Sequence, residues 1–455
     1  MRTLLLNPPS AFEGKFVSRE QGGIGTVEER FLPSEMLITA AYLRRAGHEV
    51  DVADVDGRGP DLSRYDAVVV WVCILHTYHA DLDWLRRAKE AGCRTVMVLN
   101  DPYGDFEAQT LARHPFIDAA VRLWERPLSL EALFRSWQAG TRAECPGLVL
   151  RDGEALVDTG LHAQEDDLSY LVTSAGLLEG QPLDGYDAVG ITPGRGCGGR
   201  HSFCLFGQSV QHKRPVADVL AEVEAVAGRT GRILILDPDM AGTRAWTEQF
   251  CRELSARGLP VRWRADLRPE QASPPLLKLL RDAGCDEVMV AVQTLDSGVA
   301  RGLRAGQSPA MLRRALRDIR DAGIRPILFF YVGWPWDSEE SLDKVRQFLR
   351  QEPVASFYLK QVRPWPGTPL HERFLEMGLL EGGLSPDDFV RSGSPLCPTL
   401  HLSPEQQERW KRRIGRAAML RPRYVWRFLR ERRIRPRHVA QFVSLALGRN
   451  IFRGK

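Results

Sequence analysis

Short apolar runs alternate with longer segments of helical periodicity along the first 140 residues. Strands are predicted at 4–7, 50–55, 67–73, 95–99 and 119–123, and helices at 34–46, 82–91 and 128–138. The run 67–73 is apolar at every position, which is typical of a strand buried on both faces of a parallel sheet. Alternation of such strands with helices predicts an α/β domain over residues 1–140, with ligands beyond the carboxyl ends of its strands.

The pattern changes between residues 141 and 185. Two apolar arms flank Asp152-Gly153 within residues 147–157, and an Asp-Gly pair suits the positive φ of a tight hairpin turn. The residues that follow are rich in Leu, Gly, Asp and Glu. We interpret 141–185 as a β-hairpin followed by a linker.

The second half of the chain repeats strand and helix more regularly. Strands are predicted at 188–192, 232–236, 261–265, 287–292, 326–331 and 356–360, and helices at 216–227, 245–257, 275–283, 310–322 and 339–350. Six consecutive β/α units predict a parallel barrel, or part of one, over residues 186–375. The chemistry of such barrels is located at the carboxyl ends of the strands.

Composition narrows the class of protein. The 455 residues are 44% hydrophobic and 26% charged, which is globular composition and excludes a disordered or collagen-like chain. No apolar run reaches the roughly 18–20 residues of a membrane-spanning helix, and the amino terminus has no signal-peptide pattern. The eight cysteines show no disulfide framework, so we expect a cytoplasmic protein.

Charge is divided unevenly along the chain. Residues 409–455 contain 16 Lys and Arg and a single acid, Glu431, although the whole chain carries a net charge of only +4. Aromatic residues interleave with these arginines at roughly helical spacing. We favour a basic helix that packs its aromatic residues on the acidic remainder of the protein. Peripheral contact with an anionic membrane is the alternative, and nucleic acid is the less favoured partner.

The densest chemical signal follows the first strand of the second half. The glycine-rich loop 193–207 places Cys197, His201 and Cys204 within eight residues. Thiolates and imidazoles bind iron–sulfur clusters or zinc, and glycines let the backbone approach a cofactor closely. A glycine-rich loop with two ordinary cysteines is the alternative, but its position at a strand end of a β/α array favours a cofactor site.

The loop resembles the cluster-binding loop of the radical S-adenosylmethionine (SAM) enzymes, Cys-x-x-x-Cys-x-aromatic-Cys. Cys197 and Cys204 match the first and third cysteines, Phe203 matches the aromatic residue, and His201 stands at the second cysteine. Other motifs are similar to those of the cobalamin-binding branch of this family, and the resemblance covers residues 1–375. These motifs are Asp237-Pro-Asp239, Arg268, Gln293-Thr294, Gly333-Trp-Pro335 and Pro364-Trp-Pro-Gly-Thr-Pro369.

The resemblance implies an architecture and three cofactors. A Rossmann-like domain of the cobalamin-binding type would occupy 1–140, the hairpin and linker 141–185, a partial (β/α)6 radical SAM barrel 186–375 and a helical basic region 376–455. The cofactors would be a [4Fe-4S] cluster, SAM and cobalamin. The resemblance assigns Cys197, His201 and Cys204 to the metal, and Phe203, Asp237, Arg268 and Gln293 to the surroundings of the cluster and SAM.

His201 is a departure from the family pattern. A neutral imidazole in place of a thiolate makes a cluster less negative and raises its reduction potential, as histidine does in Rieske centres. Three alternatives remain open: a cluster that includes histidine, a cluster with some other ligand, and a degenerate site.

The first domain also departs from the family. Asn100-Asp-Pro-Tyr-Gly104 stands where Gly-Gly is frequent, and no Asp-x-His-x-x-Gly motif is present. Asn100 and His76, both beyond predicted strand ends, are the candidate cobalamin contacts. A solvated helix start accounts for His76 equally well.

The expected function is a cobalamin-dependent radical SAM methyltransferase. Its substrate would be an unactivated carbon of a specialised metabolite or lipid, and a flavodoxin- or ferredoxin-type protein would supply electrons. The alternatives are a radical cyclase or rearrangement enzyme on the same scaffold, and a non-catalytic descendant that binds cobalamin or SAM. A zinc-loop protein with a nucleic-acid-binding tail is a further alternative.

Overall fold

The structure is a computed structural model of the chain. It describes residues 1–8, 11–12, 15–16, 31–55, 59–74, 77–99, 104–122, 125–161, 168–171, 183, 186–199, 201–204, 209–303, 306–352, 356–390, 395–419 and 421–422.

The described strands are β1 (Arg2–Asn7), β2 (Ala11–Phe12), β3 (Lys15–Phe16), β4 (Phe31–Leu32), β5 (Glu49–Asp54), β6 (Ala67–Val72), β7 (Arg94–Leu99), β8 (Ala119–Val121), β9 (Leu148–Asp152), β10 (Ala155–Asp158), β11 (Ala188–Ile191), β12 (Gly194–Arg195), β13 (His212–Lys213), β14 (Ile233–Ile235), β15 (Trp263–Asp266), β16 (Cys285–Val292), β17 (Arg325–Val332) and β18 (Ser356–Gln361).

The described α-helices are α1 (Ser34–Arg45), α2 (Tyr78–Glu90), α3 (Phe106–Arg113), α4 (Arg126–Ala139), α5 (Val216–Val226), α6 (Arg244–Arg257), α7 (Pro274–Asp282), α8 (Ser297–Leu303), α9 (Pro309–Asp321), α10 (Glu339–Gln351), α11 (Pro369–Glu376), α12 (Pro386–Phe389) and α13 (Pro404–Met419).

The first sheet has the strand order β10-β9-β8-β7-β6-β1-β5. Its five parallel strands, taken in chain order, are arranged 2-1-3-4-5, which is the doubly wound order of flavodoxin-like folds. Every residue of β6 is buried, because Val68 and Val70 enter one core and Val69 and Trp71 enter the core on the opposite face. The expectation of a parallel sheet covered on both faces is thus confirmed.

The order of the first sheet also locates its ligand crevice. The chain turns to one side of β1 to form β5 and to the other side to form β6. A crevice opens at such a switch point, beyond the carboxyl ends of the two neighbouring strands. In this sheet the switch point lies between β1 and β6, so a ligand crevice is expected beyond the ends of these two strands.

The hairpin predicted at 147–157 is present and extends the first sheet. β9 pairs antiparallel with both β8 and β10, and Asp152 faces Ala155 across a two-residue turn. Gly153 is the first residue of that turn and has a φ of +60°, a conformation that glycine adopts without a steric penalty.

The second sheet is a partial barrel with the order β18-β17-β16-β15-β14-β11-β4. Six parallel strands follow one another in chain order, and all six coincide with predicted strands within about two residues. The five predicted helices are α5, α6, α7, α9 and α10. The short β4, from the first 140 residues, pairs with β11 at the edge and joins the two halves of the protein.

Ion pairs fill the amino-terminal end of this barrel. Glu287, near the start of β16, accepts contacts from Arg232, from Arg325 at 3.0 Å and from Arg264 at 3.7 Å. Asp286 faces Arg232 at 2.8 Å. This network closes the end of the barrel opposite the strand ends where chemistry is expected.

The carboxyl-terminal helix α13 packs on the outside of the barrel. Trp410, Ile414 and Met419 are buried in the same core as the barrel helices, and the Arg413 guanidinium lies 4.5 Å from the Trp410 ring centroid. Trp410, the one aromatic residue of this helix, therefore packs on the body of the protein as expected. The rest of the basic tail, from 423, lies outside the described residues. Among the helices that the structure describes, none is long and apolar enough to span a membrane.

Candidate active site

The glycine-rich loop begins on a short hairpin at the carboxyl end of β11. β12, which precedes the loop, pairs antiparallel with β13, which follows it. Gly196 has a φ of +81°, and a Cβ atom there would lie 1.8 Å from the carbonyl oxygen of Val210. Only glycine fits this position, so the hairpin fixes the base of the loop.

Cys197 and His201 face each other across Gly199. The Gly199 N–H donates to Cys197 Sγ at 3.3 Å. A Cβ atom on Gly199 would lie 3.2 Å from Cys197 Sγ and 2.7 Å from His201 Cε1. Because glycine has no side chain, a sulfur atom and an imidazole share a cradle that any other residue would fill.

Phe203 and Cys204 complete the described part of the loop. The Phe203 ring stacks on the His201 ring, with centroids 5.1 Å apart, and contacts Trp334 at 5.1 Å. The Cys204 N–H donates to the His201 carbonyl oxygen at 3.2 Å. The Ser202 carbonyl oxygen accepts from Leu370 N at 3.0 Å, which ties the loop to the start of α11. The four loop residues predicted from the sequence are therefore brought together.

Electrostatics keep both potential ligands of the cradle neutral. Burial raises the pKa of the Cys197 thiol, and the Gly199 N–H and Arg268 only partly offset this effect. Burial, with Arg268 second, lowers the pKa of His201. A neutral imidazole is the form that binds metals, and a bound cation would favour the thiolate that burial alone disfavours.

Asp237 and Asp239 lie beneath this loop, at the end of β14. Asp237 is buried, forms an ion pair with Lys213 and accepts from Asp239 N at 3.0 Å. Asp239 accepts from Arg268 at 3.1 Å and from Gln271 Nε2 at 2.7 Å. Burial raises the pKa of Asp237, and Lys213 opposes that shift. Lys213 thus holds the Asp237 carboxylate, a partner that the sequence motif does not reveal.

Gln293 follows β16 on the same end of the barrel. It is buried, its N–H donates to Gln307 Oε1 at 3.1 Å, and its carbonyl oxygen accepts from Trp334 Nε1 at 2.7 Å. Asp337 accepts from the backbone N–H groups of Gly333 and Trp334, at 2.9 and 3.0 Å. The backbone of Gln293 is therefore fixed by the Gly-Trp-Pro turn after β17.

The predicted cobalamin contacts His76 and Asn100 lie outside the described residues. The neighbouring His79 is exposed and faces Asp387 at 3.3 Å. Glu107, at the start of α3 beyond β7, is buried with an unpartnered Oε2. Burial raises the pKa of Glu107 to about 7, and Arg122 and Arg126 oppose that shift.

An ion pair connects the first sheet to the cluster loop. Glu125, fully buried at the start of α4, accepts from Arg195 at 3.1 Å. Glu125 has a φ of +49°, a left-handed conformation that is unfavourable for a residue with a side chain. The pair brings the carboxyl edge of the first sheet to the carboxyl end of β11.

The residues present fit the cofactors that the sequence implies. Two thiols and an imidazole around a glycine cradle are the donor types of iron–sulfur ligation. No three His, Cys, Asp or Glu side chains in the described ranges converge on one point as ligands of a single metal ion. A cluster differs in this respect, because each ligand binds a different iron. In the first sheet, the switch point between β1 and β6 and the unpartnered Oε2 of Glu107 suit a large ligand with polar edges.

Known proteins resemble the part of the chain that contains these residues. Residues 191–349, from the end of β11 into α10, match the model of the radical SAM superfamily. The anaerobic magnesium-protoporphyrin IX monomethyl ester cyclase of Cereibacter sphaeroides is 25% identical over 326 residues, which cover 67% of this chain and 52% of the cyclase. An uncharacterized methyltransferase of Pyrococcus horikoshii is 22% identical over 410 residues, 84% of each chain. The chain thus spans about half the length of the cyclase.

Solved structures share the fold of most of the chain. The radical SAM methyltransferase TsrM of Kitasatospora setae, in its structure with cobalamin and a [4Fe-4S] cluster, has a TM-score of 0.66 at 16% identity. That match covers 98% of this chain and 89% of TsrM. The cobalamin-dependent SAM radical enzyme OxsB has a TM-score of 0.58 at 15% identity, over 83% of this chain and 55% of OxsB. The two-part α/β architecture is therefore confirmed.

Proposed function

We propose that this protein is a cobalamin-dependent methyltransferase of the radical SAM type, because residues 191–349 match the model of the radical SAM superfamily. Its substrate would be a small molecule, either a specialised metabolite or a lipid, and the methyl group would be added to a carbon atom of that molecule. An electron-transfer protein of the flavodoxin or ferredoxin type would serve as the reductant.

One observation carries this proposal. Cys197 and His201 share the Gly199 cradle at the carboxyl end of β11, and the Arg195–Glu125 pair holds that loop at the carboxyl edge of the first sheet. The switch point of the first sheet lies on the same edge, and this arrangement is suited to two cofactors working together. The fold shared with TsrM, whose structure contains both cofactors, supports the same arrangement.

The residues have distinct parts in this arrangement. Cys197, His201 and Cys204 would hold the cluster, and Phe203 would cover the imidazole. Asp239, Arg268 and Gln293 would line the SAM site. When bound, the cluster supplies an electron, SAM a methyl group and cobalamin a carrier for that group.

The first sheet would hold the corrin. The crevice beyond β1 and β6 offers the space, and the buried carboxyl of Glu107 offers a polar contact at its edge. His76 and Asn100 stay predictions for the same site.

Ring formation is the second candidate function. The cyclase relative matches 67% of this chain, and its name describes ring closure rather than methyl transfer. The two candidates differ in the fate of the SAM methyl group, since only a methyltransferase passes it to the product.

The test begins with protein reconstituted without oxygen. We expect about four irons with matching sulfide, and one corrin, per chain. With methyl-labelled SAM, a reductant and a metabolite extract of the producing cells, we expect label in a new product and release of S-adenosylhomocysteine. A product that forms without label indicates ring formation, and cofactor binding without SAM consumption indicates a non-catalytic descendant.

Variants identify the ligands. Cys197→Ala and Cys204→Ala should lose both iron and turnover, whereas Cys145→Ala, a half-buried cysteine outside the loop, should lose neither. His201→Cys should retain iron and lower the reduction potential of the cluster by on the order of 100 mV, because it replaces an imidazole with a thiolate. Full iron content and turnover in Cys197→Ala would refute the assignment.

A further inference from the structure

The inner face of the partial barrel is a surface that the proposed cofactors do not explain. Along each strand, alternate residues face the helices and the lumen. Val288 and Val290 of β16 and Leu328 of β17 belong to the outer core. Their neighbours form a separate inner cluster of Met289, Ile327, Phe329 and Tyr358.

One wall of the lumen is aromatic. Phe329 and Tyr358, on neighbouring strands, stack with their ring centroids 4.8 Å apart and their planes at 19°. The Lys360 ammonium lies 4.4 Å from the Phe329 ring centroid. Such a wall attracts apolar bodies and also cations, through the negative faces of the rings.

Asp266 faces this lumen from β15. Trp263 and Ala265 belong to the outer core, so alternation turns Arg264 and Asp266 inward. In the register of the sheet, Asp266 lies opposite Met289 of the inner cluster. Asp266 is accessible to solvent, and within the described part of the chain no donor lies within hydrogen-bonding or ion-pairing distance of its carboxylate.

Electrostatics support an internal position for this carboxylate. Burial raises the pKa of Asp266 to about 6, and it outweighs the opposing effects of Lys360 and Arg264. Asp237 adds a small upward shift. A side chain that is both solvent-accessible and strongly desolvated lies in a cavity rather than on the outer surface. At neutral pH this group is mostly an anion, and Lys360 and Arg264 act on it only from beyond hydrogen-bonding distance.

The lumen is continuous with the cluster loop. Tyr331 lies two residues beyond Phe329 on β17. Its ring centroid is 5.6 Å from that of Phe203 in the loop and 5.5 Å from that of Trp334. Both Cys204 and Asp266 act electrostatically on Tyr331, after burial, to raise its pKa. A molecule held at Asp266 would therefore lie on the lumen side of the loop that holds the cofactor ligands.

We propose that the barrel lumen binds a substrate with a protonated nitrogen, which pairs with Asp266 while its apolar or aromatic body lies on Phe329 and Tyr358. This assignment rests on the proposed function and adds the chemical class of the substrate. It predicts discrimination against substrates whose only charge is an anion, since an anion in the same position would face an uncompensated carboxylate.

Two probes that share a phenylethyl body and differ in the sign of their charge test the assignment. Binding of 2-phenylethylamine and 3-phenylpropionate to the reconstituted enzyme, saturated with SAM and without reductant, is measured by calorimetry at pH 7.5. We expect the amine to bind more tightly than the carboxylate. Asp266→Asn should weaken the amine about tenfold, because it removes one hydrogen bond to a charged group, and should leave carboxylate binding unchanged or improved.

The pH dependence separates a binding role from a structural one. Amine affinity should rise between pH 5 and 7 as Asp266 loses its proton, in the field of Lys360, Arg264 and Asp237 and beside Tyr331. The rise should be absent in Asp266→Asn. Asp321→Asn, at the exposed end of α9, removes the same charge and should behave as the wild type.

Three outcomes would overturn the assignment. They are equal binding of the amine to wild type and Asp266→Asn, tighter binding of the carboxylate to the wild type, and loss of SAM affinity in place of amine affinity. Iron content is measured on the same samples, and S-adenosylhomocysteine release is measured on the same protein preparations after reductant and metabolite extract are added. If those stay normal while amine binding fails, the substrate class is wrong and the proposed function stands.

Discussion

The space beside Gly199 determines whether the two described ligands of the cradle can face a common cofactor. Cys197 Sγ is the acceptor of the Gly199 N–H, and the His201 ring lies close to the same Cβ position of Gly199. The glycine therefore does two things that no other residue does here: it leaves the cradle open and it orients the sulfur atom. Neither effect depends on the hydrophobic core.

Gly199→Ala should consequently separate cofactor binding from folding. The added methyl group would lie within 3.2 Å of Cys197 Sγ and closer still to the His201 ring, so one ligand must turn away. We expect most of the iron to be lost on reconstitution, with a change of less than about 1 kcal/mol in the free energy of unfolding. Iron and sulfide analysis, together with thermal melting, measures both.

Gly306→Ala is the matched control for this variant. A Cβ atom on Gly306 would have nothing within 4 Å, so the variant should bind iron as the wild type does. Full iron content in Gly199→Ala would show that the loop rearranges freely and that the cradle is not part of the cluster site.

The strands and helices show what the sequence could predict. Apolar periodicity is a local property, so all six barrel strands and the hairpin at Gly153 follow from it. The helix α3 was not predicted, since eight residues give too short a period to recognise. The lumen was not predicted either. Strands buried on both faces are apolar throughout, and their sequence does not say which face is inside.

Site residues, too, could be predicted where the signal is local in the sequence and not where it depends on distant contacts. Cys197, His201 and Cys204 are close in the sequence, and the loop pattern alone identified them. Lys213 reaches the site through its ion pair with Asp237, and Asp266 reaches the lumen through the register of β15 with β16. Both depend on contacts between residues distant in the chain, which a single sequence does not reveal. Asp266 is a charged residue at the last position of a barrel strand, and that position alone could have identified it as a candidate site residue.

The ion-pair network at the base of the barrel makes the strands interdependent. Glu287 of β16 is buried and contacts arginines from three other strands or strand starts, Arg232, Arg264 and Arg325. Glu287→Ala leaves these guanidinium groups without their shared partner. We expect a loss of about 3 kcal/mol in the free energy of unfolding, measured by denaturant titration.

Glu248→Ala provides the comparison for this network. Glu248 also accepts from two arginines, Arg244 and Arg252, but on the exposed surface of α6. Its removal should cost much less than the removal of Glu287, because exposed ion pairs contribute little to stability. Equal effects of the two substitutions would mean that the network contributes no more than surface pairs do.

At the scale of the whole molecule, the cluster loop is held by contacts from distant parts of the chain. Arg195 pairs with Glu125 of the first sheet, and the Ser202 carbonyl oxygen accepts from Leu370 at the start of α11. Gly104, beyond β7, approaches Pro366 so closely that a Cβ atom would lie 2.8 Å from the proline side chain. The site therefore requires both sheets to be folded and packed against each other.

Glu125→Gln tests this coupling, because it keeps the shape of the side chain and removes its charge. The left-handed backbone of Glu125 is unfavourable, and the buried pair with Arg195 helps to maintain it. Without the charge, the Arg195 guanidinium loses its carboxylate, and the loop base at 194–199 should open more readily. Amide hydrogen exchange of that segment should become about tenfold faster, which corresponds to roughly 1.4 kcal/mol of local stability.

Glu224→Gln, which weakens an ion pair with Arg257 on the outer helices, should leave the exchange of 194–199 unchanged. Unaltered exchange in Glu125→Gln would mean that the barrel alone positions the cluster loop.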